Sequence, residues 1–421
     1  MRGPRGIVAS GALAASVLAA LAPARGKEPE TPPAVYAALF DVAIVPSERA
    51  ARVTIRLGDG ADHVEWMRFR IDPERHRSFQ GDGEIRIDDG SVEWRPPPNG
   101  GALRYDFRID QLRDERSYDA RCARRWAIFR GDDLVPPARV RTDPIAHSRS
   151  RLRLRLPEGW SAAVPYARVT GGEYRIRHEG RRFDRPIGWF AVGDLGVLRE
   201  QIEGVSLSVA GPTKHGLRRL DIVALLTWSM PTLAGIFGDL PGRLLVVGAG
   251  DPMWRGGLSG PNSLFIHAGR PLIEEDGTSP LLHEMVHTLL GVAPGSGGDW
   301  IVEGLAERYS LEVLRRSGTL TAARYEAALA RLRERAKRGG KLRVHAVDGD
   351  TRARAVVVMH ELDAEIRAAT ADAKNLDDVL RALRQERKDI TTSRFQALVE
   401  AVAGRSFEDF FQRHAPSPAG R

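Results

Sequence analysis

The sequence predicts an α+β chain of several domains, with a β-rich N-terminal half, a mixed central segment and a helical C-terminal end. From about Val35 to Val192 apolar residues recur with a period of two: RVTIRLG from Arg52, EIRIDDGSVEW from Glu84, LRYDFRI from Leu103, RLRLRLP from Arg151 and YRIRHEG from Tyr174. After Gly193 strand-like and helix-like stretches alternate, and beyond Tyr309 the 3.6-residue period of helices takes over. With 421 residues, 42% apolar and 28% charged, the chain is ordinary globular material, long enough for two or three domains.

The first residues read as an address. Arg2 and Arg5 precede an Ala-rich apolar run from Gly6 to Leu21, and Ala22-Pro23-Ala24 offers a small-x-small cleavage site before the charged KEPE. Residues 1–24 are therefore expected to be a signal peptide and 25–34 a flexible leader, with the mature chain exported to a periplasm or secreted. No other apolar stretch reads as long enough to span a bilayer, so no stable membrane insertion is expected after cleavage. Cys122 is the only cysteine, which excludes an intrachain disulfide and a thiolate metal site; it reads as a buried small hydrophobe. The net charge of +8 comes from arginines scattered over strands and helices. No stripe of basic residues interleaved with aromatics is present, so nucleic acid is not an expected partner.

Residues 35–194 are expected to form an antiparallel β-sandwich-like domain with one wet face, because each strand alternates and ends in Gly, Pro or Asp turns. Residues 195–318 open with a strand at Val205 (VSLSVAG), an amphipathic helix from Gly216 (GLRRLDIVALLTWSM) broken near Pro231, a buried strand at Arg243 (RLLVVGAG) and another at Ser263 (SLFIHAG). Residues 319–421 carry AARYEAALARLRERAKR, ARAVVVMHELDAEIRAA, LDDVLRALRQ and RFQALVEAVAG, helices separated by breaks such as Gly339, Gly340 and Gly404.

The chemistry concentrates in Thr278–Tyr309, TSPLLHEMVHTLLGVAPGSGGDWIVEGLAERY. Thr278 and Ser279 are cap residues, Pro280 suits a first helical position and Gly291 suits a left-handed stop, so a helix is expected over about Pro280 to Leu290. Residues four apart share a helix face, which lets His283 and His287 hold one zinc ion through neutral imidazoles. Glu284, one step round, stands where a general base would serve a zinc-activated water. A catalytic zinc needs a third protein ligand. Asp299 is expected to cap a second helix in which Glu303 and Glu307 share a face: Glu303 is taken as the ligand, with Glu307 as the alternative or as the partner that orients an imidazole. The metzincin pattern is excluded, since Leu290 and Ala293 occupy its Gly and His positions.

HEMVHTLL followed by DWIVEGLAERYS resembles the gluzincin zinc metallopeptidases, and among them the glycyl aminopeptidase-like group more than thermolysin itself. FDRPIGWFAVG from Phe183 to Gly193, GGLSGPNS from Gly256 to Ser263 and LDAEIR from Leu362 to Arg367 are similar to the same group. The resemblance implies a thermolysin-like catalytic domain at 195–318, an N-terminal β domain shaping the cleft, a helical C-terminal domain closing one side, and hydrolysis of peptide or protein substrates. It also implies an edge strand within Gly256–Gly269 that binds the substrate backbone, with Gly257, Leu258, Ser259 and Asn262 along its path.

Two departures bear on activity. The group carries a Glu after Gly-Gly-Leu to receive a free substrate amine, and Ser259 stands there instead. It also places a Tyr before the LDxxIR helix to donate to the oxyanion, whereas this chain has Thr351-Arg352-Ala353-Arg354. Arg352 or Arg354 are the electrostatic substitutes, and Tyr309 or His345 the candidates from elsewhere in the chain. The rival expectation is a zinc-binding relative of low or no activity that serves as a peptide-binding or scaffold protein.

Overall fold

The computed structural model describes residues 33–178, 181–344 and 347–416; the expected signal peptide and the leader up to residue 32 lie outside the described residues. The N-terminal half is built on the twelve-residue strand Ala34–Val45, central in a seven-stranded sheet. It pairs antiparallel with Ala50–Leu57, setting Phe40 opposite Ile55, and parallel with Ala146–Arg155, setting Phe40 opposite Leu152. The expectation of a purely antiparallel sandwich is thereby corrected. A parallel partner needs a long crossover, here the whole excursion from 46 to 145, and alternation along one strand is the same for either direction. Tyr36, Phe40, Val42, Val53, Ile55 and Phe107 are buried in the core between this sheet and its four- and five-stranded neighbours.

The sheet of the second half has five strands, in the order Leu195–Ile202, Val205–Pro212, Arg243–Ala249, Ser263–His267 and Gly257–Gly260. Its middle three run parallel to one another, and both faces are covered. Leu244 and Val246 pack in the same core as the helices Arg219–Phe237 and Pro280–Leu290. Leu245 and Val247 pack with Trp126, Ile128 and Trp189 of the N-terminal half. Burial on two sides explains the unbroken apolar run RLLVVGA. The stretch Gly256–Gly269, expected as the edge strand and the turn before it, folds into a hairpin closed at Gly260↔Ser263, so only Gly257–Gly260 lies at the edge and Ser263–His267 is interior.

The helix Arg219–Phe237 continues through Pro231, contrary to the expected break. Pro231 and Thr227, the residue whose carbonyl loses its amide partner, are both exposed, so water can satisfy that carbonyl. By length and composition this 19-residue helix is also apolar enough to cross a membrane, which corrects the expectation that no second stretch qualifies. Its Ile222, Leu226, Met230, Leu233 and Phe237 are buried in the protein core, while Leu220 and Trp228 are exposed.

The helices Asp299–Arg316, Ala322–Ala336, Gly349–Ala369, Leu376–Glu386, Thr392–Ala403 and Glu408–His414 share one apolar core with the central sheet, from Ile202 to Ala415. The division expected at residue 318 therefore marks a change of sequence pattern and no break in packing. Gly304 lets the Asp299–Arg316 and Gly349–Ala369 helices approach closely: a Cβ there would stand 2.9 Å from the Cβ of Ala355 and 3.3 Å from its backbone. Gly304→Leu is expected to destabilise the fold by about 1–3 kcal/mol through overpacking, read as a lower denaturant midpoint, whereas an unchanged midpoint would contradict that close approach.

Candidate metal centre

The Pro280–Leu290 helix begins and ends as its residues dictate. Ser279 caps it, its Oγ accepting from the Leu282 amide at 3.2 Å and donating to the Leu272 carbonyl at 2.6 Å. Gly291 takes φ +64° and returns its amide to the His287 carbonyl. Leu281, Leu282, Met285, Val286, Leu289 and Leu290 are buried, so the helix is anchored by its apolar stripe and His283 and His287 are held on the flank that meets the next helix. That helix runs Asp299–Arg316 with Gly298 at its N-cap, so Asp299 is its first residue, not the expected cap.

Three donors converge between the two helices. His283 Nε2 and His287 Nε2 are 3.1 Å apart, Glu303 Oε1 is 3.4 Å from His287 Nε2, and Glu303 Oε2 is 3.6 Å from His283 Nε2. Glu307, one turn beyond Glu303, places Oε2 2.7 Å from His283 Nδ1. The His283 Nδ1–H thus donates to Glu307, which directs Nε2 into the cluster. Ligands about 2.0–2.1 Å from a tetrahedral zinc stand roughly 3.3 Å from one another, so the observed triangle has the edge lengths such an ion requires. Glu303 Oε2 is buried and has no hydrogen-bond partner. These residues fit a zinc ion.

The cluster lies in a cleft of about 1280 Å³ lined in part by Gly257, Leu258, Ser259, Glu284, Glu303, Glu307, Arg130 and Arg352. Gly257 lies directly against Glu284, since a Cβ there would come within 2.6 Å of Glu284 Cγ. The β-rich half reaches this edge strand too: Trp189 Nε1 donates to the Leu258 carbonyl at 2.9 Å, and Arg130 Nη1 to that of Ser259 at 3.4 Å. Nothing in WAIFR, the strand that Arg130 ends, signals such a role; only the meeting of sheets does. Beneath the cleft, buried Arg308 donates to His360 Nδ1 at 3.0 Å and to Asp363 Oδ2 at 2.9 Å. Asp363 belongs to LDAEIR, so that segment holds the residue next to Glu307 in place.

Two expected site residues stand elsewhere. Tyr309 is fully buried with its hydroxyl donating to Asp377 Oδ1 at 2.8 Å, and it does not line the cleft. The oxyanion role considered for it is corrected: Glu303 and Glu307 face the cluster, and two residues on from Glu307 the helix has turned into the core. Asn262 lies in the hairpin turn at φ +50° and does not line the cleft either. Of the two arginines considered, Arg352 places Nε 2.9 Å from Glu303 Oε2, an ion pair without hydrogen-bond alignment. Arg354 instead donates to the carbonyls of Gly339 and Gly340. His345 lies outside the described residues. Cys122 is buried, and burial pushes its thiol up to about 12, as an inert core cysteine would be.

Burial by itself would lower the pKa of His283, but the Glu303 carboxylate 3.6 Å away, the hydrogen bond and charge of Glu307 and the charge of Glu284 outweigh it and push the imidazole up to about 10. Burial would raise Glu303, and the two histidines instead hold its carboxyl well below the usual carboxylate range. His283 thus carries a proton that a zinc ion bound here would have to displace. The raised value stabilises the metal-free fold fully below its unfolded pKa near 6.5, and that contribution is lost as pH rises toward 10. Apparent zinc affinity is expected to rise with pH by about tenfold per unit for one displaced proton across pH 7–9. Competitive chelator titration measures this, and a flat profile would contradict it.

No family model matches the chain, and no curated protein matches it in sequence. Among solved structures, the crystal structure of the aminopeptidase N family protein from Idiomarina loihiensis is similar, with a TM-score of 0.69 and 15% identity over 91% of this chain and 76% of that one. The β-rich sheets followed by helices therefore share the fold of that aminopeptidase N family protein.

Proposed function

We propose that the chain is an exported zinc-dependent metallopeptidase of the gluzincin kind, with a thermolysin-like catalytic core. The observation that carries this reading is the triangle of His283, His287 and Glu303 beside Glu284 in an open cleft. Zinc bound there supplies the Lewis acidity that polarises a peptide carbonyl and makes water a nucleophile at neutral pH. Glu284 takes the proton from the attacking water and delivers it to the leaving amine, the two halves of general base and acid catalysis. Glu307 keeps the His283 tautomer and ring orientation fixed. The backbone of Gly257–Gly260 receives the substrate as an added strand. Arg352 stands on the cleft wall as the cation nearest the cluster, in place of the absent tyrosine. Residues 1–24 provide the export signal.

A second reading, a zinc-bound peptide carrier with little or no hydrolysis, draws on Ser259 at the expected amine-binding position and on the absence of that tyrosine. Zinc content and cleavage of a broad peptide library, measured for wild type, Glu284→Gln and Glu303→Ala, separate the two. The peptidase reading expects Glu284→Gln to keep its zinc and lose about 10²–10⁴-fold in turnover, and Glu303→Ala to lose zinc. Equal background cleavage by wild type and Glu284→Gln would leave the carrier, and a wild type that takes up no zinc would remove both.

Gly257→Ala tests the cleft wall separately. The added methyl must displace the Glu284 side chain, so turnover is expected to fall at least tenfold with zinc content unchanged. A variant with wild-type turnover would show that Glu284 is not held by that wall.

A further inference from the structure

We propose that the outer end of the Gly257–Gly260 strand is an anion subsite, in which Arg130 receives a carboxylate of the substrate. The cleft then takes peptides with an acidic residue close to the scissile bond and disfavours a free N-terminal ammonium. The inference rests on the peptidase reading for the identity of the bound chain as a peptide.

The hairpin register determines which backbone groups face the open edge. The pair that closes a two-residue turn is hydrogen-bonded and the pairs alternate from there. Gly260↔Ser263 and Leu258↔Phe265 therefore point inward, as does Gly256, whose carbonyl accepts from the His267 amide at 3.0 Å. Gly257 and Ser259 direct their backbone groups to the open edge. Arg130 Nη1 is 3.4 Å from the Ser259 carbonyl, so its guanidinium stands on the edge where an added peptide strand would lie. Gly257 abuts Glu284, and Ser259 lies two residues further, about 6.6–6.8 Å along the strand. A carboxylate meeting Arg130 would accordingly sit about two residues from the bond being cut.

The charge around Arg130 is only partly compensated by its neighbours. Its nearest carboxylate is Asp132, 3.6 Å away. Asp132 already accepts from the Gly188 amide at 2.8 Å and faces a second guanidinium, that of the half-buried Arg185, at 3.9 Å. Two cations share one anion. Trp189 backs Arg130, with its ring centroid 5.6 Å from the guanidinium carbon, and the Arg130 side chain remains one-third exposed to the cleft. Other arginines of the cleft are closed in ion pairs, Arg255 with Asp251, Arg270 with Glu274 and Arg335 with Asp350. An ammonium at this edge would meet a hydroxyl and a guanidinium, while a carboxylate would find a planar fork of donors suited to bidentate binding.

The test uses zinc-loaded full chain and peptides carrying Asp or Lys at each position, with free and acetylated N-termini. Binding is read by fluorescence polarisation on Glu284→Gln protein and cleavage on wild type. At one position Asp is expected to exceed Lys by tenfold or more, with acetylated peptides preferred over free ones. Arg130→Gln is expected to abolish that preference and Arg130→Glu to reverse it, at unchanged zinc content. Equal binding of Asp and Lys peptides, or a preference that survives Arg130→Gln, overturns the subsite. Cleavage without charge preference would remove the subsite and keep the peptidase. Binding with the preference but no cleavage above Glu284→Gln would remove the peptidase and keep Arg130 as the anion contact of a peptide carrier.

Discussion

Holding two imidazoles and a carboxylate within 3.6 Å of one another, largely out of water, is the constraint on which the rest of this structure depends. Such a cluster is unfavourable unless a cation or protons neutralise it and outer partners fix its geometry. The chain answers by anchoring each donor on a helix already committed to the core. The Pro280–Leu290 helix is held by six buried apolar residues, and Asp299–Arg316 by Trp300, Ile301, Leu305, Val313 and Leu314. Neither helix can rotate to relieve the cluster without exposing its own apolar stripe.

A further layer of polar contacts holds the carboxylates. Glu307 ties His283, buried Arg308 ties the same helix to His360 and Asp363, and Asp363 in turn accepts from the Leu376 amide. The helices that follow the histidine–glutamate segment are thus structural partners of the site through a shared core and a continuous polar chain. This explains why the change of sequence pattern near residue 318 has no counterpart in the packing.

The β-rich half is equally part of the site. Its strands carry Trp189 and Arg130 to the open edge of the central sheet, where they donate to consecutive carbonyls of Gly257–Gly260. The edge strand is consequently gripped from one side by the N-terminal sheets and packed on the other by Glu284 against Gly257. A cation from one half, Arg130, and a carboxylate from the other, Glu284, come to the same short strand, and the character of the cleft is set by that meeting.

How much of this was legible follows from the range over which each feature is determined. Periodicity of two and of 3.6, Ser279 and Gly291 as helix limits, and HEMVH with Glu303 and Glu307 four apart are local patterns, governed by rotation per residue and by capping; they place the donors before any tertiary contact is known. Strand direction leaves no mark in alternation, so the parallel pairing of Ala34–Val45 with Ala146–Arg155 was invisible. The passage of a helix through Pro231 depends on which side meets water, and the burial of Tyr309 on which way its helix faces after Glu307. The sequence by itself determined the histidine–glutamate pattern and the helices that bear it, because these are set within a few residues. Only the tertiary structure decided that Arg352 stands at Glu303 and Arg130 at Ser259, because those contacts join segments some 50 and 130 residues apart and are made by core packing, which no local pattern encodes.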